Sequence, residues 1–311
     1  MIVWTDSPLF ADSLLKTRAI WKAETEQQPV SPIPGVAERL IQSGALYSAD
    51  SQSAQFWTHS YLVENAKESQ LDLLAEILEE NPEVPDGILC CAGSGDGFHG
   101  HQNRPWVALP GNVHLTALFR PNLELANCGI GFTVVAVVTV LQVIESMSIA
   151  GAKVKWVNDI LLSGAKACGV LVHVKTQGEK VTAALVGIGL NVERVPSVKP
   201  DLFVPEVTAL KHFAADPSQC TQGRVFRMLA AQLAANYNRY LTGHLSEFLD
   251  FYTKRSIVIG KMVTIYDETD PSKKVVSGRV SSIGTNLELN LEGKGSPVWR
   301  GRLALAGDNH L

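Results

Sequence analysis

Apolar residues change their period along this chain, and each change predicts an element. In residues 60–80, Leu62, Leu71, Leu73, Leu74, Ile77 and Leu78 recur near helical spacing, which predicts one long helix. Pro82, Pro85 and Asp86-Gly87 end it, and the apolar run 88–92 reads as a buried strand. Residues 112–119 alternate as a second strand should. Residues 128–147 are rich in β-branched side chains, yet at ~20 residues the run is too long for an ordinary strand and predicts a buried helix. Strands are expected at 153–156, 160–162, 169–175 and 181–191. In 223–241, Val225, Phe226, Met228, Leu229, Leu233, Tyr237 and Tyr240 mark one face of an amphipathic helix, and 245–252 reads as one more.

The ends of the chain read differently. In residues 1–55, 11–26 predicts a helix, the prolines of 29–34 break the chain, and 35–43 predicts another helix. This stretch is an extension without an assigned role, expected to pack on the main body. After Arg255, short alternating runs at 257–267, 275–283, 286–291 and 297–305 are separated by Asp270-Pro271, Gly284 and Gly293-Lys294-Gly295. They predict a small antiparallel barrel, docked on the rest because ~50 residues alone bury too little surface. The expected division is 1–55, 56–255 and 256–311.

Of the 311 residues, 46% are hydrophobic and 19% charged, within the range of globular proteins. A net charge of −4 with scattered Lys and Arg gives no basis for a nucleic-acid partner. The five cysteines form no C-x-x-C and read as reduced core thiols. Thr133, Thr139 and Gln142 interrupt the most apolar segment, 130–144, which is shorter than the ~20 residues of a membrane span. With no signal-peptide pattern at the N-terminus, the expectation is a cytoplasmic protein without a membrane partner, an organelle stroma or matrix being the alternative.

Chemistry concentrates in 151–191. Lys155-Trp156-Val157-Asn158-Asp159, Lys166-Ala167-Cys168-Gly169-Val170-Leu171 and Gly187-Ile188-Gly189-Leu190-Asn191 are apolar runs ending in polar groups or glycine, as strands meeting at one site would be. Read alone, Lys166 is equally a solvated turn lysine, Asn158-Asp159 a strand-ending turn, and the glycines close strand packing. Together they resemble the K-W-P-N-D, K-x-x-G-[IV]-L and G-x-G-x-N motifs of biotin–protein ligases, in the biotin/lipoate A/B protein ligase family. Gly260-Lys261-Met262-Val263, Gly278-Arg279-Val280 and Gly301-Arg302-Leu303 are similar to that family's SH3-like C-terminal domain. The resemblance covers about 60–305. It implies an α/β (α+β) fold, a mixed sheet with helices, followed by a small C-terminal SH3-like β-barrel.

The resemblance also implies an activity. Biotin, ATP and Mg2+ would yield biotinyl-AMP, and biotin would pass to a lysine on the biotin carboxyl carrier domain of a biotin-dependent carboxylase; a homodimer is possible in such a family. Lys166 would stabilise charge during adenylation. Ser60, Asn158, Asp159, Gly169 and the loop residues Gly95, Asp96, Gly97, Phe98, His99, Gly100, Arg104 and Trp106 would hold acyl-adenylate or biotin. Gly187, Gly189, Asn191 and Asp159 would meet nucleotide and metal. Trp156 reads as core.

The chain departs from the family at its glycine loop. Where G-R-G-R-x-G-R is usual, Gly95, Gly97 and Gly100 remain, but Asp96, Phe98 and His101 replace the arginines. An arginine offers a fixed cation and a planar fork for phosphate, whereas aspartate repels it. Arg104, with or without His99 and His101, would replace the missing charge. Val157 stands for the motif's proline, and Thr58-His59-Ser60-Tyr61 is the nearest equivalent of an S-T-N acyl-pocket segment, without its asparagine. Gly95–Gly100 also fits G-x-G-x-x-G, but a proline-closed polar loop follows instead of a helix, against a dinucleotide fold. Two alternatives stay open: a lipoate or octanoate ligase or transferase, and a non-catalytic ligand-binding homologue that lost the arginine clamp.

Overall fold

A computed structural model describes residues 1–24, 35–42, 44–51, 56–124 and 128–305. An eleven-stranded sheet runs through the main body, and its first three strands come from the N-terminal stretch: β1 (Ile2–Thr5), β2 (Lys22–Ala23) and β3 (Tyr47–Asp50). β1 lies parallel to β4 (His59–Ala66), pairing Ile2 with His59 through Thr5 with Leu62. Without it β4 would present a row of unpaired backbone groups at a sheet edge.

The helix expected at 11–26 is shorter, α1 (Pro8–Leu15). Ser7 caps it by accepting from the Phe10 amide, and Pro8 fills the first turn. Lys16 takes a left-handed conformation at the other end, and Asp12 Oδ1 accepts from the Ala19 amide and Trp21 Nε1, both at 3.1 Å, turning the chain back into β2. The helix expected at 35–43 is α2 (Val36–Ile41). The proline segment 29–34 lies outside the described residues.

The single helix expected at 60–80 is two elements, β4 and then α3 (Gln70–Glu80). Leu62 matched the helical period by coincidence. It sits in a strand flanked on both sides, by β1 and by the parallel strand β5 (Ile88–Gly95), whose burial on both faces erases the alternation that would have betrayed it.

The sheet continues through β6 (Val113–Phe119), and the short β7 (Leu123–Glu124) pairs with Lys180 and Val181 later in the chain. After α4 (Cys128–Ser146) come β8 (Lys153–Lys155), β9 (Asp159–Leu162), β10 (Ala165–Gln177) and β11 (Lys180–Leu190). Spatial order is β2-β3-β1-β4-β5-β6-β11-β10-β9-β8. Helices α1, α4, α5 (Gln222–Leu241) and α6 (Leu245–Arg255) cover one face, and α2 and α3 cover part of the other. Among the described residues no helix is long and apolar enough to cross a membrane. Cys90, Cys91, Cys168 and Cys220 are buried and unbridged.

The polar residues that interrupt α4 bind it to α5. The Asn236 amide, fully buried, donates to Thr139 Oγ1 at 2.9 Å and to Gln142 Oε1 at 2.8 Å. Thr139 in turn donates to the Val135 carbonyl at 2.7 Å. Such a network is stabilising only while complete.

A separate four-stranded antiparallel sheet ends the chain: β12 (Met262–Tyr266), β13 (Lys274–Ile283), β14 (Leu289–Leu291) and β15 (Arg302–Leu305), in the order β14-β13-β12-β15. Val263, Ile265, Val280, Leu289, Leu291 and Leu303 form its core, and Trp156 from the main body completes it. Trp156 Nε1 donates to the Leu287 carbonyl at 2.6 Å, and the Ile257 amide to the Val154 carbonyl at 2.9 Å. The main body and the small sheet are thus joined through an indole, and a mixed sheet with helices followed by a small β unit is the fold this chain adopts.

Replacing Asn236 by Ala should cost about 2 kcal/mol in urea unfolding, because Thr139 and Gln142 lose a buried partner. Unchanged stability would show that the network contributes nothing.

Candidate functional site

Lys166 owes its direction to two local features. Ser163 (φ 49°) and Gly164 (φ 89°) make a two-residue turn of the twist-matched type between β9 and β10. A bulge follows, since Lys166 pairs with Leu161 and Cys168 with Ile160, leaving Ala167 over. In a regular strand Lys166 and Gly169 would face opposite ways. The extra residue puts both on one face, where the Lys166 ammonium lies 3.5 Å from the place a Cβ on Gly169 would take. Lys166 Nζ meets Asp159 Oδ1 at 2.7 Å, and both side chains are about four-fifths buried, exposed 19% and 23%.

These groups border a cavity of about 800 Å3 on the sheet face beyond α3, closed on its far side by the small C-terminal sheet. Its floor is bare backbone. Gly169 and Gly189 are cross-strand partners on β10 and β11, and the Trp106 indole lies against them. A Cβ at Gly189 would stand 2.5 Å from the ring, so only glycine fits there. Trp106 Nε1 donates to His114 Nδ1 at 3.2 Å, while the Lys166 ammonium stands 5.9 Å from the ring centre. Gly187 continues the floor, covered by Leu71 of α3.

The glycine loop divides in two. Phe98, His99, Gly100, Arg104 and Trp106 line the cavity. Gly95, Asp96 and Gly97 are not among its lining residues: Gly95 packs against the Ala66 carbonyl, and Asp96 and Gly97 are exposed. The aspartate that would repel phosphate therefore lies away from the cavity. His99 bridges to α3, with Nε2 at 2.7 Å from Asp72 Oδ2. Burial lowers its pKa, but the Gly100 carbonyl and the Asp72 carboxylate outweigh that and raise it overall. On the other side, His101 Nε2 lies 3.7 Å from Glu268 of the small sheet.

Other expected residues fall in different surroundings. Ser60 does not reach the cavity; it is buried mid-strand in β4, between Val3 and Leu89. Since the helix begins at Gln70 and not at 60, the residue preceding it is Ser69, and Ser69 does line the cavity. Asn158 and Asp159 both line it, but Asn158 Nδ2 is already donated to the Val170 carbonyl at 2.5 Å. The Trp156–Val157 peptide before them is cis. Asn191 borders the cavity with its amide committed, donating to the Thr208 carbonyl at 3.0 Å and accepting from Asn112 at 3.3 Å.

Several residues in or beside the cavity were not among the expected site residues. Asn112 Oδ1 accepts from the amides of Val192, Glu193 and Arg194 at 3.0, 3.1 and 3.0 Å, fixing the turn after β11. Lys155, almost fully buried, donates to the Phe203 carbonyl at 2.6 Å. Arg302 arrives from β15, more than a hundred residues away in sequence. His114 sits under Trp106, its Nδ1 accepting from the indole, which assigns the proton to Nε2 beside the Leu109 carbonyl at 3.3 Å.

Burial pushes the His114 pKa down to about 4, against a smaller opposing pull from the Leu109 carbonyl. Above pH ~6.5 both folded and unfolded imidazoles are neutral and nothing is lost. Below it the unfolded chain takes a proton that the folded chain refuses, so stability falls until about pH 4, by ~3 kcal/mol for this residue. Urea unfolding across that window should show a fall that His114→Gln makes shallower by about one proton. An unchanged slope would contradict a neutral buried His114.

Residues 83–191 match the Biotin/lipoate A/B protein ligase family, a span that includes the loop, Lys166 and the glycine floor. Over 163 residues the chain is 29% identical to the Bifunctional ligase/repressor BirA of Bacillus subtilis, covering 52% of this chain and 49% of that protein. Over 155 residues it is 30% identical to the Biotin--[acetyl-CoA-carboxylase] ligase of Paracoccus denitrificans, 47% of this chain and 62% of that one. The chain spans about half the length of the BirA relatives it matches. Its fold is similar to the biotin protein ligase from Aquifex aeolicus solved in complex with biotin and ATP, with a TM-score of 0.61 and 18% identity over 80% of this chain and 99% of that chain. Residues 83–191 are thus similar to the biotin/lipoate A/B protein ligase family, and the fold is similar to that of a biotin protein ligase.

Proposed function

We propose that this chain is an ATP-dependent biotin–protein ligase, a biotin--[biotin carboxyl carrier protein] ligase acting in the cytoplasm. The observation that carries the reading is the charge of the cavity. Six cations, Arg104, Lys155, Lys166, Lys199, Arg300 and Arg302, border it against three carboxylates, Asp159, Asp201 and Glu268, in a chain whose net charge is −4. A concave site of this size with an excess of positive charge suits a nucleotide joined to a small acid.

In the proposed reaction a biotin carboxylate oxygen attacks the α-phosphorus of ATP, and the bond to the β-phosphate oxygen breaks, releasing pyrophosphate. A carrier-domain lysine amine then attacks the acyl carbon of biotinyl-AMP, and AMP leaves with the electrons of the acyl–oxygen bond. Lys166 stabilises the charge that builds on the phosphate, and Asp159 aims it. Trp106 and the glycines 169, 187 and 189 seat the adenylate, while residues 98–106 shield it from water that would hydrolyse the anhydride. Asn158 and Asn191 hold strand ends in place around it. Mg2+ would neutralise nucleotide charge. Asp159 offers a carboxylate oxygen for it, which fits an ion held chiefly through substrate phosphates.

One observation favours a second reading. Residues 95–103 contain neither lysine nor arginine, as a ligand-binding homologue without turnover would allow. Acid-dependent ATP–pyrophosphate exchange separates the two readings, run with biotin, lipoate and octanoate at equal concentration. Exchange with biotin alone, reduced about a hundredfold or more by Lys166→Ala, is the expected result. Exchange with another acid only would replace the substrate, and no exchange with any acid would leave the ligand-binding reading.

A further inference from the structure

The chain between β5 and β6 forms a hairpin flap with hydrogen bonds of its own. The Trp106 amide donates to the Phe98 carbonyl and the Gly100 amide to the Arg104 carbonyl, both at 2.8 Å, and His99 and Pro105 face each other across the hairpin. Gln102 (φ 57°) and Asn103 (φ 53°) turn its tip, and Arg104 Nε donates back to the His101 carbonyl at 2.7 Å. These bonds shape the flap without fixing where it lies. Two histidine–carboxylate pairs tie it to its surroundings. His99 Nε2 stands 2.7 Å from Asp72 Oδ2 on α3, and His101 Nε2 stands 3.7 Å from Glu268 Oε1 at the small sheet. His99 is 21% exposed and His101 47%, so solvent weakens the first pair less.

The surroundings of the His99 ring select its charged form. Nδ1 lies 3.0 Å from the Gly100 carbonyl, and Nε2 faces the Asp72 carboxylate. Both partners accept, so both ring nitrogens must donate, and only the imidazolium carries two N–H groups. A neutral ring would turn a lone pair on one of the two oxygens. The other charged and titratable groups around the flap are His101 and Arg104 on it, His173 on β10, and Glu268 and Arg302 at the small sheet. Burial lowers the His173 pKa, Asp72 opposes, and His99 and His101 lower it further. His173 thus gives up its proton before His99 does.

We propose that Asp72 is a positioning residue for the cavity: by pairing with charged His99 it latches the flap closed, so that closure requires a proton. For His99, burial pulls the pKa down, but the Gly100 carbonyl and Asp72 outweigh it and raise the value overall. The latch is therefore fully held below about pH 6.5 and is lost as pH rises through that raised value. The His101–Glu268 pair acts in the same direction at the tip, since it attracts only with the ring protonated. Under the proposed function, the latch sets how long an acyl-adenylate stays shielded from water.

Two magnetic resonance readouts on the full chain test the latch without biotin or ATP, so it stands or falls apart from the ligase reading. Ring 15N shifts follow the protonation of His99. The 19F resonance of 5-fluoro-Trp106, assigned by its loss in Trp106→Phe, follows the position of the flap. Between about pH 6 and pH 8.5 the Trp106 resonance should titrate together with His99, and Asp72→Asn should move both midpoints down by about one pH unit or more. A Trp106 resonance that ignores the His99 titration would show a pair that latches nothing. Midpoints unchanged in Asp72→Asn would remove Asp72 from the role. If that variant does not fold, His99→Gln decides: the Trp106 titration should vanish in that window, and its persistence contradicts the latch.

Discussion

The site in this chain depends on a patch of sheet that carries no side chains. Gly169 and Gly189 face each other across β10 and β11, and Gly187 lies two residues along the same strand face. Strands alternate their side chains, so clearing one face requires glycines at matching register, not merely close in sequence. That register is fixed by the Ser163-Gly164 turn and the bulge after Lys166. The same bulge brings the Lys166 ammonium to the cleared face. The floor, its covering indole and its principal cation are thus consequences of how one hairpin pairs.

Much of this was legible in the residues. Three motifs in order placed Lys166, Asp159 and the glycines together, and apolar length was enough to identify α4 as a buried helix although its residues favour strand. Trp156 read as core, and it fills the core of the small sheet. What was not legible had identifiable causes. The helix expected at 60–80 absorbed β4, because a strand flanked on both sides shows no alternation. That error carried the expected acyl-pocket segment to Ser60, ten residues before the helix start at Gln70. The bulge after Lys166 left no pattern at all, since one extra residue looks like ordinary strand. Arg302 could not be placed from sequence because its partners, Asp201 and Phe203, lie about a hundred residues away.

The loop shows how a change in sequence need not be a change at the site. Asp96 stands where an arginine is expected, yet its position on the solvent side removes the repulsion that substitution suggests. The loop is held instead by neutral or titratable contacts at both ends, His99 to Asp72 of α3 and His101 toward Glu268 of the small sheet. It closes the cavity more as a lid bound at its flanks than as a source of charge. Positive charge comes from β8, β10 and β15 and from Arg104, so both sheets contribute to one electrostatic field.

Under the proposed function, this glycine floor and its covering indole seat an acyl-adenylate. A crystal structure of the chain grown with biotin and Mg-ATP tests it most directly. Biotinyl-AMP is expected against Trp106, beside the Gly169–Gly189 strand pair, with its phosphate within reach of Lys166. Biotin and nucleotide bound apart, or a ligand seated away from β10 and β11, would contradict it.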